Sequence, residues 1–219
     1  MAKKNFFLII DTETTQDNKV ADFGAVVTCR KGIVHHSVGA LVREFYLDRE
    51  RHPLFHVRDA DPLWSAAKLP ARYAAYDDML QDGRRALYSV AAINRWLARV
   101  NAQYNPIVTA YNFAFDRDKL DKFDKSFCLW HAAANKWAHT KEFRQFIIDN
   151  HYFNKPTAYK NMSYLTNAEV MARFVLNNPD MPDEPHTALE DALEYELPIL
   201  SALVKNTPTK ALFDPPSYN

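Results

Sequence analysis

Asp11 and Glu13 stand two positions apart where the apolar stretch "FFLII" ends in "DTETT". Side chains alternate along a strand, so both carboxylates face one side if the strand continues through Thr12. Like charges held that close raise each other's protonation cost, and a divalent cation is an economical compensation. Asp116 and Asp191 are two further acids at expected element starts, next to a strand or loop, where a helix N-terminus favours negative charge. The four together would form an oxygen-rich set suited to Mg²⁺ or Mn²⁺. Any one of them alone reads more simply as a cap or a solvated acid; the pair at a strand exit sets them apart.

The elements that must position these acids follow from pattern. Residues 6–10 read as a central strand and residues 23–29 as a second. A turn at Lys31 and Gly32 leads into a third strand over 33–45, with Gly39 as the expected bulge, so the opening is a meander. Helical spacing predicts a helix over 87–100, a short strand follows over 107–111, and Asn112 can cap a helix holding Phe115, Asp116 and Leu120. Further helices are expected over 141–150 and 163–176, and prolines mark 177–185 as a loop. Thr187 with Glu190 predicts a capping box that leaves His186 just outside the last helix and Asp191 just inside it. Pro198 is expected to kink or end that helix.

Residues 46–83 break the pattern with prolines and carry Trp64, Tyr73 and Tyr76. They read as a packed irregular surface, or as a wall beside a site where rings stack on bases. The expected organisation is one domain over 1–205 with that insertion, and a tail over 206–219 where Leu212 and Phe213 either fray or clip to the surface.

A chain of 219 residues can bury roughly 70% of its extended surface, which supports a sizeable core. Lysines and arginines number 27, as do aspartates and glutamates, which argues against a passive nucleic-acid coating protein and leaves room for an enzyme that holds a few phosphates. Residues 117–144 carry only a modest basic excess, read equally as solvated helix surface or as a phosphate track. Cys29 and Cys128 make neither a disulfide framework nor a zinc cluster, and the N-terminal apolar run is too short for a signal or a membrane span. The expected location is cytoplasmic or another reducing intracellular compartment, with no membrane association.

"DTETT", then "AYNFAFDRDKL", then "HTALEDA" resemble, in order, the three motifs of the DnaQ-like 3′ to 5′ exonucleases with four acids and a histidine (DEDDh), of the ribonuclease H-like superfamily. The resemblance spans roughly residues 6–200. It implies an α/β ribonuclease H-like fold, a mixed central sheet flanked by helices. It also implies two divalent ions, Mg²⁺ or Mn²⁺, held by Asp11, Glu13, Asp116 and Asp191, with His186 as general base toward the attacking water. Thr12, Thr14 and Asn112 become terminal-nucleotide contacts, and Phe115 either stacks on a base or fills the core, the core being favoured. Two departures stand out: Gln16 replaces the usual glycine after the threonine pair, and "ADFGAVV" lacks the usual glutamate before its strand.

The activity so implied is hydrolysis of single-stranded DNA or frayed 3′ ends to nucleoside 5′-monophosphates. RNA trimming is the near alternative, and a non-enzymatic nucleic-acid or protein adaptor or a ribonuclease H-like endonuclease the more distant ones. The implied partners are a nucleic acid with a free 3′ end and, as expectations, a homodimer or a polymerase.

Overall fold

The structure, a computed structural model, describes residues 5–57, 65–119, 124–154 and 163–213. Three antiparallel strands open it: β1 (Phe6–Thr14), β2 (Val20–Cys29) and β3 (Val34–Val42). The short strands β4 (Ala86–Tyr88), β5 (Ile107–Ala110) and β6 (Ser126–Cys128) are each parallel to a neighbour, and the sheet order is β4-β3-β2-β1-β5-β6. The result is an α/β fold with a mixed central sheet flanked by helices. The expected meander is present, but Gly39 pairs in regular register with Gly24, and the irregularities fall between Glu13 and Thr14 and between Val27 and Thr28.

Alternation along β1 divides the core. Leu8 and Ile10 face α3 (Val90–Tyr104) together with Phe23, Ala25 and Val27. Phe7 and Ile9 face the opposite layer, where α5 (Leu129–Trp137), α6 (Lys141–Asp149), α7 (Ala168–Leu176) and α9 (Leu197–Lys205) pack. Asp11 and Glu13 continue this second face beyond its last apolar side chain. Burial of the central strand on both faces explains why its first half is apolar without interruption.

Several boundaries differ from the sequence pattern. β3 stops at Val42, and Arg43–Tyr46 forms the helical turn α1. Leu87 belongs to β4, and α3 starts at Val90 with the Ser89 side chain accepting from the Ala92 N–H. Ser163–Tyr164 is a short strand, β8, paired with β7 (Phe153–Asn154), so α7 begins only at Ala168, capped by Asn167. Residues 46–83 contain a regular helix, α2 (Leu69–Gln81), with Pro70 in its first turn. Its Tyr76 and Met79 are buried against Leu41, Tyr46 and Leu54, and the Tyr73 hydroxyl accepts from the Leu54 N–H, so both tyrosines serve packing. Trp64 and Leu120 lie outside the described residues.

The C-terminal helix is continuous but not uniform. One α-helical turn, α8 (Ala188–Glu190), passes into a π-helical segment, Asp191–Glu196, and then into α9. Pro198 directly follows the π-helical segment, and the chain stays helical through it to Lys205, so it does not end the helix. Leu212 is buried and Phe213 meets the edge of Phe127, so this part of the tail is clipped to the fold. Among the described residues no helix is long and apolar enough to cross a membrane.

Candidate active site

β1 and β5 run parallel in the register Ile9 to Thr109, so their C-terminal ends reach the same edge of the sheet. Crevices at such ends are where α/β sheets bind ligands. From β5 the chain passes through Tyr111 and Asn112 into the single turn α4 (Phe113–Asp116), which brings Asp116 back over β1. The Thr12 hydroxyl donates to Asp116 Oδ1 at 2.6 Å, a buried bond that ties the two segments together. Asn112 is exposed and its side chain caps nothing, since α4 is too short to need it.

The other wall is set by close approach. Gly24 pairs with Asp11 across the β1/β2 ladder, and a Cβ there would stand 2.2 Å from the carbonyl carbon and oxygen of Ala188. Only glycine lets α8 lie on the sheet at this point. Asp22 then caps α8: its Oδ2 accepts from the Ala188 N–H at 3.0 Å. The guanidinium of Arg85, itself buried, donates to both Asp22 oxygens and both Glu190 oxygens. The Thr187–Glu190 capping box therefore does not form: Asp22 supplies the cap and Arg85 takes Glu190. Asp22 belongs to the same "ADFGAVV" segment of β2 as Gly24.

These constraints bring the candidate catalytic, metal and nucleotide-binding residues named from the sequence to one cleft of about 760 Å³. Its lining includes Asp11, Thr12, Glu13, Thr14, Asn112, Phe115, Asp116, His186 and Asp191. Ligand atoms of Glu13, His186 and Asp191 lie within 4.8 Å of one another, which makes this triad the candidate metal centre among the described residues. Asp11 and Asp116 stand beside it. The donors present suit a hard or borderline divalent cation. Among the described residues one such grouping is formed, where the sequence resemblance implied two ions.

Unsatisfied oxygens support the fit of a cation. Among the described residues, Asp11 Oδ2, Asp191 Oδ1 and Glu196 Oε2 are buried without a hydrogen-bond partner. Burial pushes the Asp191 carboxyl up to about 10, with Glu184, Glu13 and Glu196 adding repulsion. Burial likewise raises Asp11 well above its ordinary range, and the nearby Glu196, Asp116, Glu13 and Asp191 push the same way. Glu13 and Asp116 also rise through burial, opposed by Arg72 at the first and by the Thr12 hydrogen bond at the second. A site that must hold protons when empty is one that a divalent cation can relieve.

Phe115 is a correction to the favoured core reading: it is exposed at the cleft rim, with Lys119 Nζ 3.3 Å from its ring centroid. Thr12 gives its hydroxyl hydrogen to Asp116, so that donor is not offered to a ligand. Within the basic stretch, Arg117 pairs with Asp118 on the surface, while Lys122, like Lys155 and Lys160, falls outside the described residues.

Sequence reasoning missed Glu196, Glu184, Trp130 and Arg72. Glu196 is 2% exposed, lines the cleft and accepts from the Tyr111 N–H at 3.0 Å. In an α-helix a residue five positions from Asp191 would point roughly 140° away. The wider π-turn brings both acids to the cleft. Glu184 is raised to about 7 by burial and by Glu169. Trp130 lines the same cleft and donates from Nε1 to Thr166 Oγ1 at 3.0 Å.

No protein-family model matches the chain, and no curated protein matches it significantly. The fold is similar to a solved structure described as exonuclease X in complex with 5′ overhanging duplex DNA, with a TM-score of 0.44 and 16% sequence identity over 94% of this chain and 96% of that chain.

Proposed function

We propose that the protein is a metal-dependent 3′ to 5′ exonuclease of the DEDDh type, acting on single-stranded DNA or frayed 3′ ends. The observation that carries the reading is the convergence of Asp11, Glu13, Asp116, Asp191 and His186 in one open cleft with aromatic walls at Tyr111, Phe115 and Trp130. Asp11, Glu13, Asp116 and Asp191 are the residues to hold Mg²⁺ or Mn²⁺, hard cations that favour oxygen donors, which leaves the imidazole of the triad to act as a base rather than a ligand. Cations bound there supply Lewis-acid stabilisation of charge developing on the phosphoryl oxygens.

The chain's own residues would do the rest. His186 has φ 53°, a left-handed conformation that turns its imidazole toward Glu13 and Asp191, and there it takes the proton of the attacking water. The water oxygen bonds to phosphorus, the bond to the 3′ oxygen breaks, and that oxygen takes up a proton from solvent to become the 3′ hydroxyl of the shortened strand. The products are a nucleoside 5′-monophosphate and a new 3′ hydroxyl. Exposed rings at the rim suit unpaired bases, which stack without regard to sequence.

The test is a time course on 5′-labelled single-stranded DNA and RNA of one sequence with Mg²⁺, Mn²⁺ or EDTA, beside an Asp11→Ala/Glu13→Ala variant. Metal-dependent stepwise shortening from the 3′ end that vanishes in the variant supports the reading, and faster decay of the DNA supports the substrate. Inactivity of folded, metal-loaded protein on both polymers refutes it.

A further inference from the structure

Helix α2 sends one side chain from the 46–83 region to the candidate metal centre. Arg72 Nη2 lies 3.4 Å from Glu13 Oε2, and both side chains are largely buried, at 15% and 10% exposure. Its Nη1 donates to the Phe55 carbonyl at 2.9 Å. Phe55 lines the cleft, and its own N–H donates to the Thr14 carbonyl at 2.8 Å, so the anchor of Arg72 is fastened to the end of β1. Among the described residues, Arg72 is the one arginine in an ion pair with a carboxylate of the cleft.

The two arms of the guanidinium are unequal. Charge-assisted N–H to oxygen bonds are commonly about 2.7–2.9 Å, so the contact to Glu13 is loose. The Phe55 bond is of ordinary length and needs no charge on the acceptor. A divalent cation taken up by Glu13 would repel the guanidinium from one arm without touching the other. Arg72 would then remain at the cleft wall, still tethered to the Phe55 carbonyl, where its guanidinium can turn toward a phosphate entering the cleft. Planar guanidinium geometry suits the paired oxygens of a phosphate.

We propose that Arg72 is a resident counter-ion of Glu13 that a divalent cation displaces and that then binds a phosphate of the substrate strand. This rests on the reading of the cleft as a metal-dependent phosphodiesterase site. It assigns to residues 46–83 a part in the site that the motif pattern does not contain. Arg72 acts here as a binding and positioning residue and takes no part in proton transfer.

The two roles give opposite signs. Removing a positive charge next to a cation site strengthens cation binding, whereas losing an arginine to phosphate contact weakens phosphate binding. The test is calorimetric titration of the full chain, wild type, Arg72→Met and Arg72→Lys, first with Mn²⁺ alone and then with dTMP in saturating Mn²⁺. For Arg72→Met, Mn²⁺ should bind about three- to ten-fold more tightly and dTMP about ten-fold more weakly. Arg72→Lys, which keeps the charge without the fork, should leave Mn²⁺ affinity within about two-fold of wild type and weaken dTMP by about three-fold. The lysine variant carries the test if the methionine variant does not fold. Unchanged or weaker Mn²⁺ binding in Arg72→Met overturns the counter-ion role, and unchanged dTMP affinity overturns the phosphate role. The exonuclease reading fails separately if the wild type cuts no strand in Mn²⁺, because the Mn²⁺ titration reads Arg72 without any nucleic acid.

Discussion

Gly24 on β2 lies directly beneath Ala188, so close that a methyl group on Gly24 would sit 2.2 Å from the Ala188 carbonyl. The atom it meets is backbone, which cannot rotate away. Gly24→Ala should therefore lift α8 from the sheet and cost about 3 kcal/mol, the upper end of the overpacking range. His186 and Asp191 flank α8, so a shift of about 1 Å there should lower cleavage by about 10²-fold even in the fraction that folds. Thermal melts and single-turnover cleavage on one preparation check this. Wild-type activity in a folded Gly24→Ala protein would show that α8 tolerates the displacement.

Arg85 fastens the same helix from the other side. It is fully buried at its side chain and serves Asp22 and Glu190 at once. Its two partners respond differently: burial still raises Asp22 despite Arg85, while at the more exposed Glu190 the bonds from Arg85 outweigh burial and lower it. Arg85→Met would leave the Asp22 charge buried with only the Ala188 N–H, and breaking such a pair from one side costs about 3–5 kcal/mol. For a chain of 219 residues that is a drop of about 10 °C in Tm. Replacing both partners with apolar residues would test a different quantity, since a whole buried pair is often worth little.

Much of this site was legible because its chemistry is written in short local patterns. The alternation at Asp11 and Glu13 needs only strand geometry, and the strand-to-helix passage around Asp116 needs only an apolar run followed by polar residues. What escaped depends on contacts far apart in the chain. The Thr187–Glu190 capping box was a sound local inference that lost to Asp22 and Arg85, 166 and 105 residues from their helix partners. Glu196 escaped because a period of 3.6 residues hides it, and no residue in "EDALEYELP" announces a π-turn. Arg72 escaped because α2 builds its inward face from tyrosines, methionine and leucine among one proline and several alanines, a pattern too weak to mark as a helix or to aim at β1.

Asp191→Asn separates stability from function. Asp191 is buried among other acids and holds a proton in the metal-free fold near pH 8, so the neutral isostere removes the cost of taking up that proton. The variant without metal should melt at or above the wild type near pH 8, while Mn²⁺-dependent cleavage falls by at least about 10²-fold. Stabilisation by added Mn²⁺ should shrink too, because a ligand stabilises only through its affinity for the folded state. Melting in EDTA and then in Mn²⁺ gives both readings. If Mn²⁺ raised the Tm of the variant as much as that of the wild type, Asp191 would have no part in holding the cation.

The same buried acids fix the sign of the pH dependence. Unfolded carboxyls titrate near about 4, whereas the folded protein holds Glu184 up to about 7 and Asp191 up to about 10. Between those limits the folded state binds more protons than the unfolded chain, so stability falls as pH rises. The contribution is full below about pH 4, is lost in part through about pH 7 and declines further toward about pH 10. A divalent cation replaces those protons, binds more tightly as pH rises and should flatten the slope. Melting temperatures taken in EDTA between about pH 5 and about pH 9 should therefore decline, with the gap between EDTA and Mn²⁺ curves widening toward the alkaline end. A metal-free Tm that stayed level or climbed over that interval would mean that the carboxylates are solvated in the empty cleft, and the electrostatic case for a cation there would be lost.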